Sequence, residues 1–181
     1  VIDVRDLAAF LVRIAEDNAI GTFNACGPSA DPGKPLTMGQ LLSESQRATD
    51  WIAKNADRPG EKAELTWVSA KFIRDYPEPI NTTIWIPPEG ESIGFHQWSN
   101  ARAVKAGMTF RPIFDTIRDT LEWFPKELER RVRVTAEIVA EAKAKGEPAP
   151  DVGQPDKIRA GIPPELERRV LEAWRKQQAA G

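Results

Sequence analysis

The chain is predicted to be an α/β protein that carries a helical extension at its C-terminal end. Up to Trp123, segments with helical periodicity alternate with short β-prone runs; past Trp123 the texture becomes that of charged helices. Size and composition agree with a folded domain. The 181 residues, 41% apolar and 29% charged, make one ordinary domain, or one plus an appendage, long enough to bury a core.

Val1 to Val4 reads as a short strand. Asp3, followed three positions on by Asp6, is close to a capping box. Val4, Leu7, Ala8, Leu11, Ile14 and Ala15 then recur at helical spacing, which predicts a helix burying that face up to about Asp17. Asn18 to Gly21 stops it, with Gly21 expected to take positive φ. Thr22 to Cys26 reads as a compact apolar strand, and Ser29 to Pro35 as a polar loop rich in Pro and Gly.

Thr37 and Gln40 form a capping box that opens a helix with Met38, Leu41, Leu42, Ala48, Trp51 and Ile52 on its buried face. Asn55 to Gly60 is a turn, Leu65 to Val68 a strand, and Ser69 the cap of a short helix reaching Tyr76. Ile84 to Ile86 is a brief β-prone run halted by Pro87 and Pro88. Helix signals resume near Ser99 and end at Gly107, a well-placed C′ glycine. Phe110 to Phe114 is expected to be extended, since Pro112 disfavours helix at Arg111, and Asp115 to cap a helix through Ile117, Leu121 and Phe124.

Beyond Trp123, Leu128, Val132, Val139 and Ala142 form a narrow apolar stripe on a charged helix closed by Gly146. Glu147 to Pro155 is a Pro-rich linker, and Pro163-Pro164 opens a last helix that buries Leu166, Val170, Ala173 and Trp174. Residues 1–123 and 124–181, with the linker at 147–155, are the expected divisions. The hexapeptide from Glu127 to Val132 recurs identically from Glu165 to Val170. Two copies make no solenoid, and the recurrence reads as two similar surface helices that each start after proline.

A net charge of −2 recruits neither nucleic acid nor an anionic membrane by bulk electrostatics, and no apolar run approaches the roughly 20 residues that span a bilayer. Cys26, the single cysteine, cannot staple the fold, so a reducing, cytoplasmic compartment is the default expectation. The chain begins at Val1 inside the first predicted strand, which leads to the expectation that the native N-terminus lies upstream.

Catalytic groups are scarce. No glycine-rich turn follows a strand, and Gly27 to Lys34 lacks the spacing of a phosphate-binding loop. Cys26 with His96, the only histidine, is the one conceivable nucleophile–base pair, but a cysteine after an apolar strand is far more often simply buried. One His and one Cys give no metal-ligand spacing, and Asp3 and Asp6 are better explained by capping. No catalytic, cofactor-binding or metal residue is therefore assigned.

Ile2-Asp3-Val4-Arg5-Asp6-Leu7-Ala8 followed by Gly21-Thr22-Phe23-Asn24-Ala25-Cys26-Gly27-Pro28 resembles the closing strand–helix–strand of the extended short-chain dehydrogenase/reductases, which include NAD-dependent epimerases, dehydratases and reductases. Ala103 to Pro112, leading to Asp115 to Trp123, is similar to the C-terminal signature of that family. The resemblance implies the C-terminal, substrate-side lobe of a Rossmann-type enzyme, with Phe23 to Ala25 at the sheet edge and Asn24 bonding backbone. It also implies NAD or NADP for the intact enzyme, a small-molecule substrate, an N-terminal Rossmann half as partner, and a possible homo-oligomer.

The cofactor turn and the Tyr-x-x-x-Lys pair of that family are absent: the only tyrosine is Tyr76, with Ile80 four residues on. By the same resemblance, the region before Ala101 belongs to a substrate lobe, which makes Trp85, Phe95, His96 and Trp98 the candidate pocket residues. Relatives that hold a nucleoside diphosphate usually place arginine where this chain has Pro88-Glu89-Gly90-Glu91, so a smaller or less charged substrate is expected. The rival reading is a non-catalytic binding or interaction module, based on the striped helix from Lys126 to Lys145.

Overall fold

The computed structural model describes residues 1–27, 36–55, 63–82, 85–156 and 160–180. Among them the architecture is helical: α1 (Val4–Glu16), α2 (Met38–Asn55), α3 (Ala70–Asp75), α4 (Ala101–Lys105), α5 (Ile113–Ala144) and α6 (Pro164–Ala179), with a 3-10 turn over Gly90–Ser92. No β-strand occurs among the described residues, which overturns the α/β, Rossmann-type expectation.

Partners explain the difference. Val1–Asp3 lies beside residues 22–27 through a single backbone bond, from the Gly27 amide to the Val1 carbonyl. Side chains make two further bonds there: Asn100 Nδ2 donates to the Cys26 carbonyl, and Asn24 Nδ2 donates to the Ser99 carbonyl. β-propensity expresses the fit of a residue to neighbouring strands, and without a ladder these segments stay irregular. Residues 65–68, 85–86 and 110–112 also run without regular structure, and the helix predicted from Asp115 already starts at Ile113. Asp115 thus sits in the first turn of α5 rather than at its cap, bonded to Arg118 at 2.9 Å. The predicted loop over Ser29 to Pro35, the body of the turn at 56–60 and Ile84 lie outside the described residues.

The chain divides into two compact units, Val1–Lys62 with Gln97–Asp156, and Ala63–His96 with Lys157–Gly181. In the first unit, Phe10, Ala103 and Met108 form the buried centre, with Ile2, Ile14, Phe23, Ala25, Ala106 and Phe110 packed around it. Phe10 meets Phe23 edge to face, ring centroids 5.7 Å apart. α2 packs along α5, where Arg47 lies over the Phe114 ring at 4.1 Å and Arg118 over Trp51 at 5.8 Å. In the second unit, Val170 of α6 is buried, Trp174 packs edge-on against Phe72 of α3, and Arg169 forms a two-pronged pair with Glu78.

α1 buries a different face from the one its periodicity predicts. Asp6 and Phe10 are buried and Leu7 and Ile14 half-buried, while Val4, Ala8, Leu11 and Ala15 face outward. The helix has two apolar faces, and the bulk of Phe10 decides which of them enters the core. Its end falls where the sequence places it, over Asn18 to Gly21: Asn18 takes φ 48° with the Ala19 amide reaching the Ile14 carbonyl, and Gly21 takes φ 155°.

Locally encoded ends are built as the sequence reads. Thr37 and Gln40 exchange bonds as a capping box, and Ser69 Oγ accepts from the Phe72 amide. Gly107, at φ 92°, closes α4 with the Met108 amide on the Ala103 carbonyl, and that turn carries Met108 into the core.

α5 runs without a break through Pro125, where a helix end and a fresh start after proline were expected. Pro125 supplies no amide to the Leu121 carbonyl and crowds the preceding turn, at a cost of about 3 kcal/mol relative to alanine in a free helix interior. Pro125→Ala is expected to raise stability by about 1–3 kcal/mol in denaturant unfolding. A destabilised variant would mean that packing of the proline ring outweighs the missing bond.

Candidate functional site

Polar side chains converge where α1 and α5 begin. Asp3 caps α1 by accepting from the Arg5 amide at 2.8 Å, and receives the Arg5 guanidinium through Nε at 2.9 Å and Nη2 at 2.7 Å. Thr116 Oγ1 donates to the same carboxylate at 2.8 Å. Arg5 extends to Asp119 at 2.6 Å, and Arg118 grips Asp119 from the other side. Asp6 does not complete a capping box. Its carboxylate turns instead to Arg111, accepting from the backbone amide at 3.0 Å and from Nε at 2.8 Å.

The Arg5 guanidinium holds the Asp3 carboxyl well below the usual carboxylate range, assisted by the Arg5 amide, the Thr116 hydroxyl and the charge of Arg111 against the opposing effect of burial. Arg118, and then Arg5, lowers Asp119 likewise. Carboxylates held so firmly ionised have no proton to donate near neutral pH, so Asp3 and Asp119 tie α1 to α5 rather than act as a general acid. On α5, Arg130 and Arg131 bring Glu127 down to about 2.

Along the outer flank of α1 runs an open groove of about 380 Å³ lined by Ala9, Phe10, Val12, Arg13, Glu16, Asp17, Gly107 and Thr109. Arg13 lies across Gly107, where a methyl group would meet its guanidinium at under 3 Å. None of these residues is a candidate on sequence grounds, because the predicted phase of α1 turns this flank elsewhere. The informative signal is Phe10, the largest side chain of the helix, lying off the predicted face.

The four aromatic candidates are divided. Trp85, Phe95 and His96 belong to the second compact unit, and Trp98 to the first. His96 Nε2 lies 3.2 Å from both the amide and the carbonyl of Ile86, and Phe95 stands edge-on to its ring at 5.1 Å. Trp85 is half-buried, whereas Phe95 is 51% and Trp98 67% exposed. The structure therefore brings Phe95 and His96 together beside the backbone that follows Trp85, and none of the four lines the α1 groove. Trp98→Ala is expected to lower stability by less than about 1 kcal/mol in thermal unfolding, against about 3–5 kcal/mol for a buried large aromatic. A loss in the higher range would place Trp98 in a core and remove it as a pocket residue.

Cys26 is half-buried, with its thiol 3.8 Å from the Trp98 carbonyl, a weak donor contact. Arg74 pairs with Glu89, so one of the two acids in the Pro88 to Glu91 stretch is compensated. Among the described residues no three His, Cys, Asp or Glu side chains are grouped to hold a metal ion, and no helix is long and apolar enough to cross a membrane. No family model, curated protein or solved structure matches this chain.

Proposed function

We propose that this chain is the substrate-side portion of an NAD(P)-dependent epimerase, dehydratase or reductase of the extended short-chain family, with no catalysis of its own. The proposal concerns its role and not a sheet, since the described residues are helical. The observation that carries it is the Asp6–Arg111 contact. This joins the two blocks on which the family resemblance rests, 105 positions apart in sequence, through a carboxylate that accepts both backbone and guanidinium donors. Asn24 supports it further by bonding the Ser99 backbone. In this reading a second body supplies the glycine-rich turn and the Tyr-x-x-x-Lys pair, and Trp85, Phe95 and His96 contribute to binding a small-molecule substrate.

The test is the coding region upstream of the Val1 codon. A glycine-rich turn between a strand and a helix, followed by Tyr-x-x-x-Lys, supports the reading; a region with neither sinks it. The 181 residues by themselves are expected not to bind NAD(H) or NADP(H) in calorimetric titration, because no glycine-rich turn presents amides to a pyrophosphate. Saturable micromolar binding would overturn that expectation.

A non-catalytic interaction module is the second reading. It is favoured by the apolar side chains that α1 and α5 leave exposed, among them Leu11, Val12, Trp123, Val132 and Ile138.

A further inference from the structure

The groove of about 380 Å³ on the outer flank of α1 has the size of a small-molecule site and carries charges of both signs. The cation in its lining is Arg13. Arg5, Arg111 and Arg118 each spend N–H donors on carboxylates, whereas Arg13 makes no hydrogen bond among the described residues. Asp17 stands 3.6 Å from its Nε, beyond hydrogen-bond reach. The guanidinium is nonetheless held in place, because it lies across Gly107 and fills the space where a side chain would stand. A fixed fork with all five donors unspent is matched to a carboxylate. Thr109, exposed in the same lining, adds a hydroxyl that has no hydrogen bond among the described residues.

The negative side comes from Glu16 and Asp17 at the C-terminal end of α1, where the last helix carbonyls add partial negative charge. Glu16 is exposed and has no ion pair among the described residues. Acids at that pole are the reverse of what stabilises a helix end, so a cation set against them is favoured. Charge thus selects the ligand. A bare carboxylate would face Glu16 and Asp17, and a bare ammonium would face Arg13, whereas a molecule carrying both groups finds a partner for each. Ala9, Phe10 and Val12 supply the apolar part of the lining, which suits an aliphatic side chain.

We propose that this groove binds a small zwitterion, an α-amino acid with an aliphatic side chain. Arg13 and Thr109 receive its carboxylate, Glu16 and Asp17 its ammonium, and Ala9 and Val12 its tail. The groove is open to water, so binding is weak, with Kd of about millimolar order. The site lies wholly in the first unit and uses none of Trp85, Phe95 and His96, so it stands apart from the enzymatic reading.

Titration of the full, isotope-labelled chain with L-leucine, followed by nuclear magnetic resonance, is expected to move the Arg13 Nε signal and the Gly107 and Thr109 amide signals along one saturating curve. 4-Methylpentanoate, which lacks the ammonium, and 3-methylbutylamine, which lacks the carboxylate, should each bind about tenfold or more weakly than leucine. Arg13→Gln and Glu16→Gln should each raise Kd about tenfold or more, with helix content by circular dichroism unchanged because both side chains are exposed. The proposal is overturned by signals that stay still up to about 50 mM leucine, by a single-charge analogue that binds as tightly as leucine, or by saturation that survives Arg13→Gln. It is also overturned by an equal response at Arg102, an exposed guanidinium outside the groove, which would mean association with surface charge in general.

Discussion

Phe10→Ala is expected to lower the stability of the first unit by about 3–5 kcal/mol, the usual loss when a buried large aromatic is truncated. Phe10 is 3% exposed, contacts Ala103 and Met108, and meets Phe23 edge to face. Its removal would empty the point where α1, the segment at residues 22–27 and the turn after α4 come together. Small domains have only about 5–15 kcal/mol in total, so the variant would sit near the edge of folding. Leu11→Ala, one position on, is the control: with about half its surface in water, it should cost under about 1 kcal/mol. Urea unfolding of both variants would decide the phase of α1. Equal losses, or a larger loss at Leu11, would show that the helix is turned the other way in solution.

Asp3→Asn should be the second most damaging substitution, at about 2–3 kcal/mol at neutral pH. It weakens a helix cap, a two-pronged guanidinium pair and a bond from Thr116 at once, although Arg5 itself is half in water and screened. The loss depends on pH with a definite sign. The folded carboxyl is held below its ordinary value, chiefly by Arg5, so its contribution is fully present above the unfolded value near 4 and is lost as pH falls below it. The stability difference between wild type and Asp3→Asn should therefore be constant from pH 7 to about 5 and shrink toward pH 3. Asp119 and Glu127 are lowered as well, so the variant keeps a residual acid slope of its own. A difference that grew in acid would mean that Asp3 is not ionised in the folded chain.

Local chemistry makes several features legible in the amino-acid sequence. Thr37 with Gln40, Ser69, Gly107, Gly146 and Pro163-Pro164 each mark a helix end through groups within four or five residues of one another, and each end forms where it reads. The absence of a Tyr-x-x-x-Lys pair is likewise a fact of the sequence. Asn24, expected to bond backbone, does so from an irregular segment.

Every other choice depends on a partner distant in sequence. Thr22 to Cys26 has strand-like composition, but a strand exists only with a ladder; here the Asn100 side chain takes the Cys26 carbonyl, and the Asn24 side chain donates to the Ser99 carbonyl. α1 carries two apolar faces, and only the cluster formed with Ala103 and Met108 selects the one bearing Phe10. Pro125 marks a helix end on local grounds, yet α5 continues through it. Asp6 reads as half of a capping box until Arg111, 105 positions away, offers it two donors in place of one. Where most of the helices begin and end is written into the chain itself, since capping is settled within a turn of backbone. Which faces meet, and whether an apolar run becomes a strand, is decided only when remote segments compete for the same side chains and backbone groups.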